Sequence, residues 1–306
     1  MLVRDKGMGD GNVALKLLEN SAVFGARTVD RFQREIQILR EFDHPHIVQA
    51  FDFVSLGGPY CYTMEYVDAP DLARVIESRE LRYDEIDLIF VQLLDALSQL
   101  HARRIYHRDI KLENVLYLKG YGIKLTDFGL VKDSFSGGLT QTGILLGTAQ
   151  YFPPEYIRGG RYDATSELYV VGLMLYEILT RTRRLQEMSG PEAIRHLIET
   201  NFEVPSDLPP EIPAKYRDIL GSALSVSREE RISSAAQMKA LFLGEPIDGR
   251  GSIGFAPEAE EAEASGAARF RLIASLLLDP LCIFLQLIFL FMLTASLLRC
   301  WFLYFV

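Results

Sequence analysis

The chain has 306 residues, 32 Lys plus Arg against 41 Asp plus Glu, and a mean hydropathy of +0.09. At 49% hydrophobic it is not a disordered chain, and a net charge of −9 excludes nucleic-acid binding through a broad basic surface. Three cysteines, Cys61, Cys282 and Cys300, are too few and too scattered for a disulfide framework or a zinc cluster, so a reducing compartment is expected. The length suits one domain of about 250 residues with an appendage, or two small domains.

In chain order, alternating apolar residues predict strands over 12–18 and 59–67, with a helix between them over 29–41. Helical periodicity then dominates at 83–101, 166–180, 191–200, 214–224 and 233–243. Segments 115–118 and 122–126 read as a β-hairpin. Residues 244–270 form an acidic linker: within 244–268, Glu245, Asp248, Glu258, Glu260, Glu261 and Glu263 face only Arg250. Residues 271–306 are expected to hold a transmembrane helix. From Leu281 to Leu298 there is no charge, and twelve of the eighteen residues are Leu, Ile or Phe. Asp279 and Pro280 suit its N-cap and first turn, and Trp301 and Tyr304 suit the far interface, giving a span of about 281–305. The first ten residues lack the apolar run of a signal peptide.

The polar motifs lie between these apolar runs. In His107-Arg108-Asp109-Ile110-Lys111-Leu112-Glu113-Asn114, the amide of Asn114 follows Asp109 by five residues, and Asp127-Phe128-Gly129 begins eighteen residues after Asp109. His-Arg-Asp alone is equally an exposed charged loop, but the hairpin between the two motifs would gather two carboxylates and an amide around one cavity. Asp127 and Asn114 offer the hard oxygen donors that Mg²⁺ prefers. Upstream, Val13-Ala14-Leu15-Lys16 puts Ala14 and Lys16 on one face of a strand, and a buried ammonium needs an acidic partner.

This constellation resembles the protein kinase signature, and Leu139-Thr140-Gln141-Thr142 with Gly147-Thr148-Ala149-Gln150-Tyr151 looks most like bacterial Hanks-type serine/threonine kinases. The resemblance covers residues 1–243. It implies an α+β, two-lobed kinase fold with a small mainly β lobe and a large mainly α lobe, followed by the single C-terminal helix. It implies a transfer of the γ-phosphoryl of ATP, with Mg²⁺, to Ser or Thr of protein substrates. Asp109 would accept the hydroxyl proton, Lys111 would neutralise the moving phosphoryl group and mark Ser/Thr specificity, and Asn114 and Asp127 would hold the metal. Lys16 would reach the α- and β-phosphates, paired to Glu35 nineteen residues later. Ala14 and Leu116 would enclose the adenine, whose edge the backbone of Glu65 and Val67 would read beside Met64.

By the same resemblance, Thr140 and Thr142 are autophosphorylation sites whose phosphate pairs with Arg108, and a homodimer would serve trans-autophosphorylation. Glu155 and Arg231 match a buried ion pair of the large lobe, and Thr148 a contact to Asp109. A cytosolic nucleotide implies a single-pass protein of the cell membrane, its kinase domain facing the cytoplasm, with too few residues beyond the span for an ectodomain.

Two departures are visible. Gly7, Gly9 and Gly11 lie too close to Lys16 to be the phosphate-covering loop, and 1–5 read as the second strand of the small lobe. The loop and first strand are then expected upstream of Met1 or not at all. Glu167 stands where the family has an aspartate anchoring the catalytic loop. These departures keep a second reading open, a membrane-bound pseudokinase that binds nucleotide as a scaffold; a third, a small-molecule phosphotransferase, lacks the long activation segment seen here.

Overall fold

The computed structural model describes residues 2–5, 11–17, 26–55, 60–128, 149–159, 161–183, 185–203 and 208–245, within a compact unit running Met1–Ile247. The small lobe is one antiparallel sheet of β1 (Leu2–Asp5), β2 (Gly11–Leu17), β3 (Ala50–Ser55) and β4 (Tyr60–Glu65), in the order β1-β2-β4-β3, with helix α1 (Ala26–Arg40) against β3. Ala14 lies opposite Met64 and Lys16 opposite Tyr62, and directly opposed residues share a face, so these four side chains line one side of the sheet. Strand β3 escaped the sequence reading, since its two phenylalanines flank an aspartate in a run of only six residues. Its pairing to β4, with a register shift between Ala50 and Phe53, is a tertiary choice.

Helices form the large lobe: α2 (Leu72–Ser78), α3 (Tyr83–Ala102), α4 (Pro154–Ile157), α5 (Ala164–Thr180), α6 (Gly190–Glu199), α7 (Ala214–Ala223) and α8 (Ala235–Leu243). The hairpin β5 (Val115–Leu118) and β6 (Gly122–Leu125) lies against α3. All five helices expected here form, within two residues at each end. The seven-residue α2, started by Asp71 whose carboxylate accepts from Arg74 N–H at 2.9 Å, is too short to show periodicity.

Helix α5 is buried on every side from Ser166 to Ile178, which makes it the axis of the lobe. Against it sits the ion pair expected from sequence. Arg231, 4% exposed, donates to both carboxylate oxygens of Glu155 at 2.8 and 3.2 Å, and Ser166 Oγ donates to the same carboxylate at 2.6 Å. Burial acts to raise the Glu155 carboxyl, but these bonds outweigh it and hold the group below its ordinary value. Among the described residues, no helix is long and apolar enough to cross a membrane. The expected span at 281–305 and the linker lie outside the described residues.

Helices α5 and α7 approach at Gly172, where an added Cβ would sit 2.9 Å from Ala223 Cβ and 3.0 Å from Leu224 Cδ2. Gly172→Ala should therefore push the helices apart and cost about 1–3 kcal/mol of stability in chemical denaturation, despite alanine's better helix propensity. An unchanged or higher midpoint would mean that the contact yields freely.

Candidate active site

The loop between α3 and β5 is pinned from three sides. From below, Glu167 Oε1 on α5 accepts Arg108 N–H at 2.7 Å, while Glu167 Oε2 accepts from His101 Nε2 at 2.8 Å. Glu167 is fully buried, so both oxygens are spent on neighbours that leave no bare charge in the core. The longer glutamate thus reaches the loop backbone. From the side, Asp109 N–H donates to His107 Nδ1 at 3.3 Å, and His107 Nε2 lies 2.9 Å from Thr126 O. A backbone N–H can only donate, so Nδ1 accepts and Nε2 carries the proton given to Thr126. The imidazole is neutral, fully buried, and packed on Phe128 with ring centroids 4.5 Å apart. Burial lowers its pKa, against the opposing pull of Glu167 and Asp109. From above, Thr126 N–H donates to Asn114 O at 2.9 Å.

These ties hold backbone conformations that L-residues avoid. Arg108 and Asp127 both have φ of 63°, left-handed values that cost of order 1–3 kcal/mol each. The turn at Asp127 brings its carboxylate to Lys16, with Nζ to Oδ1 at 2.7 Å and both side chains about one-third exposed. Asp127 is thus a partner for Lys16 that the sequence did not nominate. Glu35, the nominated one, lies on α1 with its side chain outside the described residues. Asn114 Nδ2 donates to Asp109 O at 2.7 Å and Oδ2 at 3.1 Å, and Lys111 Nζ stands 3.5 Å from the same Oδ2.

The donor chemistry suits a hard cation. Asn114 spends its amino group on Asp109, which leaves its oxygen as the donor, and Asp127 adds a carboxylate. Among the described residues, no three His, Cys, Asp or Glu side chains form a metal cage. Mg²⁺ takes few protein ligands and completes its shell with water and phosphate oxygens, so one carboxylate and one amide are a sufficient set.

Ala14 and Leu116 are each half-buried, on β2 and β5, while Glu65 ends β4 and Val67 opens the connection to α2. Thr140, Thr142 and Thr148 fall outside the described residues. Sequence reasoning missed a second network at Glu113, at the far end of the loop. Arg183 pairs with Glu113, the residue before Asn114, and lies 3.7 Å from Glu177, which accepts from Tyr151 Oη. Burial and the Glu177 charge push the Tyr151 phenol well up. Glutamate at position 177, near the end of the largely apolar run 168–178, was the one signal that pointed there.

A sheet lobe and a helical lobe meeting at these motifs are the architecture that the resemblance implied. The chain belongs to the protein kinase family, whose domain profile matches residues 5–243. It is 32% identical over 238 residues to a probable serine/threonine-protein kinase PknB of Lactococcus lactis, covering 76% of this chain and 38% of that protein. It is 35% identical over 264 residues to serine/threonine-protein kinase pkn3 of Myxococcus xanthus, covering 78% and 48%. To serine/threonine-protein kinase PrkC of Bacillus subtilis it is 33% identical over 235 residues, covering 76% and 36%. The matched region spans less than half the length of each relative.

A neutral buried His107 has a sign that can be tested. Its folded pKa is depressed below the ordinary 6.5. As pH falls below about 6.5 the unfolded chain takes up a proton that the folded chain refuses, so stability present above that pH is lost on acidification. His46, also lowered chiefly by burial, adds to the same slope. The denaturation midpoint should fall between pH 7.5 and 5.5, and His107→Phe, though less stable at pH 7.5, should show a shallower fall. Parallel pH profiles for the two chains would remove the assignment.

Proposed function

We propose that the chain is a serine/threonine protein kinase that transfers the γ-phosphoryl of ATP to hydroxyls of protein substrates. The observation that carries the reading is the convergence of two pairs, Lys16 with Asp127 and Asn114 with Asp109, joined by the Thr126 to Asn114 backbone bond. Mg²⁺ held by Asp127 and Asn114 would neutralise the phosphates of bound ATP. Lys16 would leave Asp127 for the α- and β-phosphates, with Glu35 on α1 as its further partner. Ala14, Leu116 and the backbone of Glu65 and Val67 would form the adenine slot.

Asp109 is the proton acceptor of this reading. Its Oδ2 already receives Asn114 Nδ2 and faces Lys111 Nζ, so the carboxylate is oriented for an incoming hydroxyl. Lys111, beside it, would move its charge onto the transferring group. Thr140 and Thr142 would be phosphorylated in trans within a homodimer, their phosphates pairing with Arg108. The reading as a nucleotide-binding scaffold loses one support, because Glu167 keeps the bond to Arg108 N–H that its shorter counterpart would make.

Asp109→Asn should lower phosphorylation of a protein acceptor by about 100-fold or more in a radiolabelled ATP assay, and leave Thr140 and Thr142 bare by mass spectrometry. Chelating Mg²⁺ should abolish labelling by the parent chain. Equal labelling of parent and variant would remove Asp109 from its role, and labelling that survives chelation would remove the metal.

The reading extends to the C-terminus. Residues 281–305 would cross the cell membrane, with the acidic 244–270 linker and the kinase domain on the cytoplasmic side. The full chain should float with phospholipid vesicles through high-salt and carbonate washes, and a chain ending at residue 268 should not. Full extraction of the complete chain by carbonate would reduce the segment to a peripheral contact.

A further inference from the structure

Behind the seam between the lobes lies a group of side chains that the proposed reaction does not use. Glu65 closes β4, and its carboxylate turns away from the sheet face that carries Ala14 and Lys16. Glu65 Oε2 receives Lys124 Nζ at 2.7 Å and Gln49 N–H at 3.3 Å. Lys124 sits within β6 of the large lobe, and Gln49 belongs to the connection between α1 and β3. Gln49 is itself fixed, since its carbonyl accepts Glu65 N–H at 2.8 Å and its Nε2 donates to Arg40 O at 2.8 Å and Ala50 O at 3.1 Å. The same connection is laced to β6 by Val48 N–H to Leu125 O at 2.9 Å and Leu125 N–H to His46 O at 2.8 Å. Both members of the ion pair are more than half buried, Lys124 with 20% and Glu65 with 32% of its side chain exposed.

We infer that Lys124 is a positioning residue for the nucleotide, acting through Glu65. Two consequences follow from its charge and place. It fixes the height of the end of β4, the stretch whose backbone at Glu65 and Val67 meets the adenine edge in the proposed function, on which this inference rests. It also neutralises a more than half-buried carboxylate that would otherwise stand uncompensated at the end of β4. Because the pair joins a small-lobe strand to a large-lobe hairpin, it acts on the hinge together with the backbone bonds of Val48 and Leu125 that hold the lobe spacing. Lys124 touches no reacting group, so its loss should appear in nucleotide affinity and leave the phosphoryl-transfer step alone.

The test uses the full chain with Mg²⁺, reading ADP binding by calorimetry and ATP dependence by steady-state kinetics. Lys124→Met, which keeps the stem and removes the charge, should weaken ADP binding and raise KM for ATP by about 5-fold, with kcat within about 2-fold of the parent. Lys124→Arg should recover the parent value to within about 2-fold. In a Glu65→Gln background, Lys124→Met should add less than about 2-fold, because its partner is already gone. ADP affinity unchanged or tighter in Lys124→Met overturns the inference, as does a fall in kcat with KM untouched, or a lower melting temperature with the same affinity. A parent chain that binds nucleotide while the variants match it sinks only this inference; a parent chain that binds none sinks the proposed function as well.

Discussion

The buried carboxylate of Glu167 is the contact on which the rest of the site depends. A charge in the core of α5 is tolerated only because both its oxygens accept hydrogen bonds, one from the Arg108 backbone and one from the His101 ring at the end of α3. That arrangement ties the axis of the large lobe to the loop that carries Asp109. It also makes the left-handed turn at Arg108 affordable, since the N–H exposed by the turn points straight at an anion. With an apolar residue at 167, the loop would keep its strain and lose the partner that fixes its direction.

From that anchor, order passes outward through neutral groups. The His107 imidazole accepts Asp109 N–H on one nitrogen and donates to Thr126 O from the other, so one ring joins the loop to the strand leading to Asp127. Phe128 packs on the same ring, coupling the apolar core to the polar loop. Asn114 then links the two carboxylates, holding Asp109 with its amino group while its carbonyl receives Thr126 N–H. Four hydrogen bonds thus fix the separation between Asp109, Asn114 and the turn at Asp127.

The network around Arg183 has a different physical character. Arg183 brings a mostly buried guanidinium to Glu113 and Glu177, and Tyr151 completes the set from the short turn that precedes α4. Here one guanidinium bridges two carboxylates, and the loop is held at Glu113 as Glu167 holds it at Arg108. Strain at Arg108 and Asp127 persists because contacts on both sides over-determine the backbone between them.

Much of this was legible in the residues themselves. The five longer helices from 83 onward announced themselves by periodicity, the four-residue α4 did not, and the hairpin showed as two short apolar runs around a glycine turn. The motifs containing Asp109, Asn114 and Asp127 were legible because their residue types and spacing occur together, and Glu155 with Arg231 only through the resemblance to the kinase family. Strand β3 and helix α2 were not, being too short for any period to emerge from six or seven residues. Nor were Asp127 as a partner of Lys16, His101 as the second partner of Glu167, or Lys124 as the partner of Glu65: local sequence states that a charge must be compensated, and only the packed chain decides by which of many distant groups. Asp127 reaches Lys16 across 111 positions and Lys124 reaches Glu65 across 59, and choices over such distances belong to topology. Residue type and spacing determined the chemistry; the closing of the two lobes on each other determined its geometry, because a hydrogen bond is made or lost within an ångström that no linear pattern encodes.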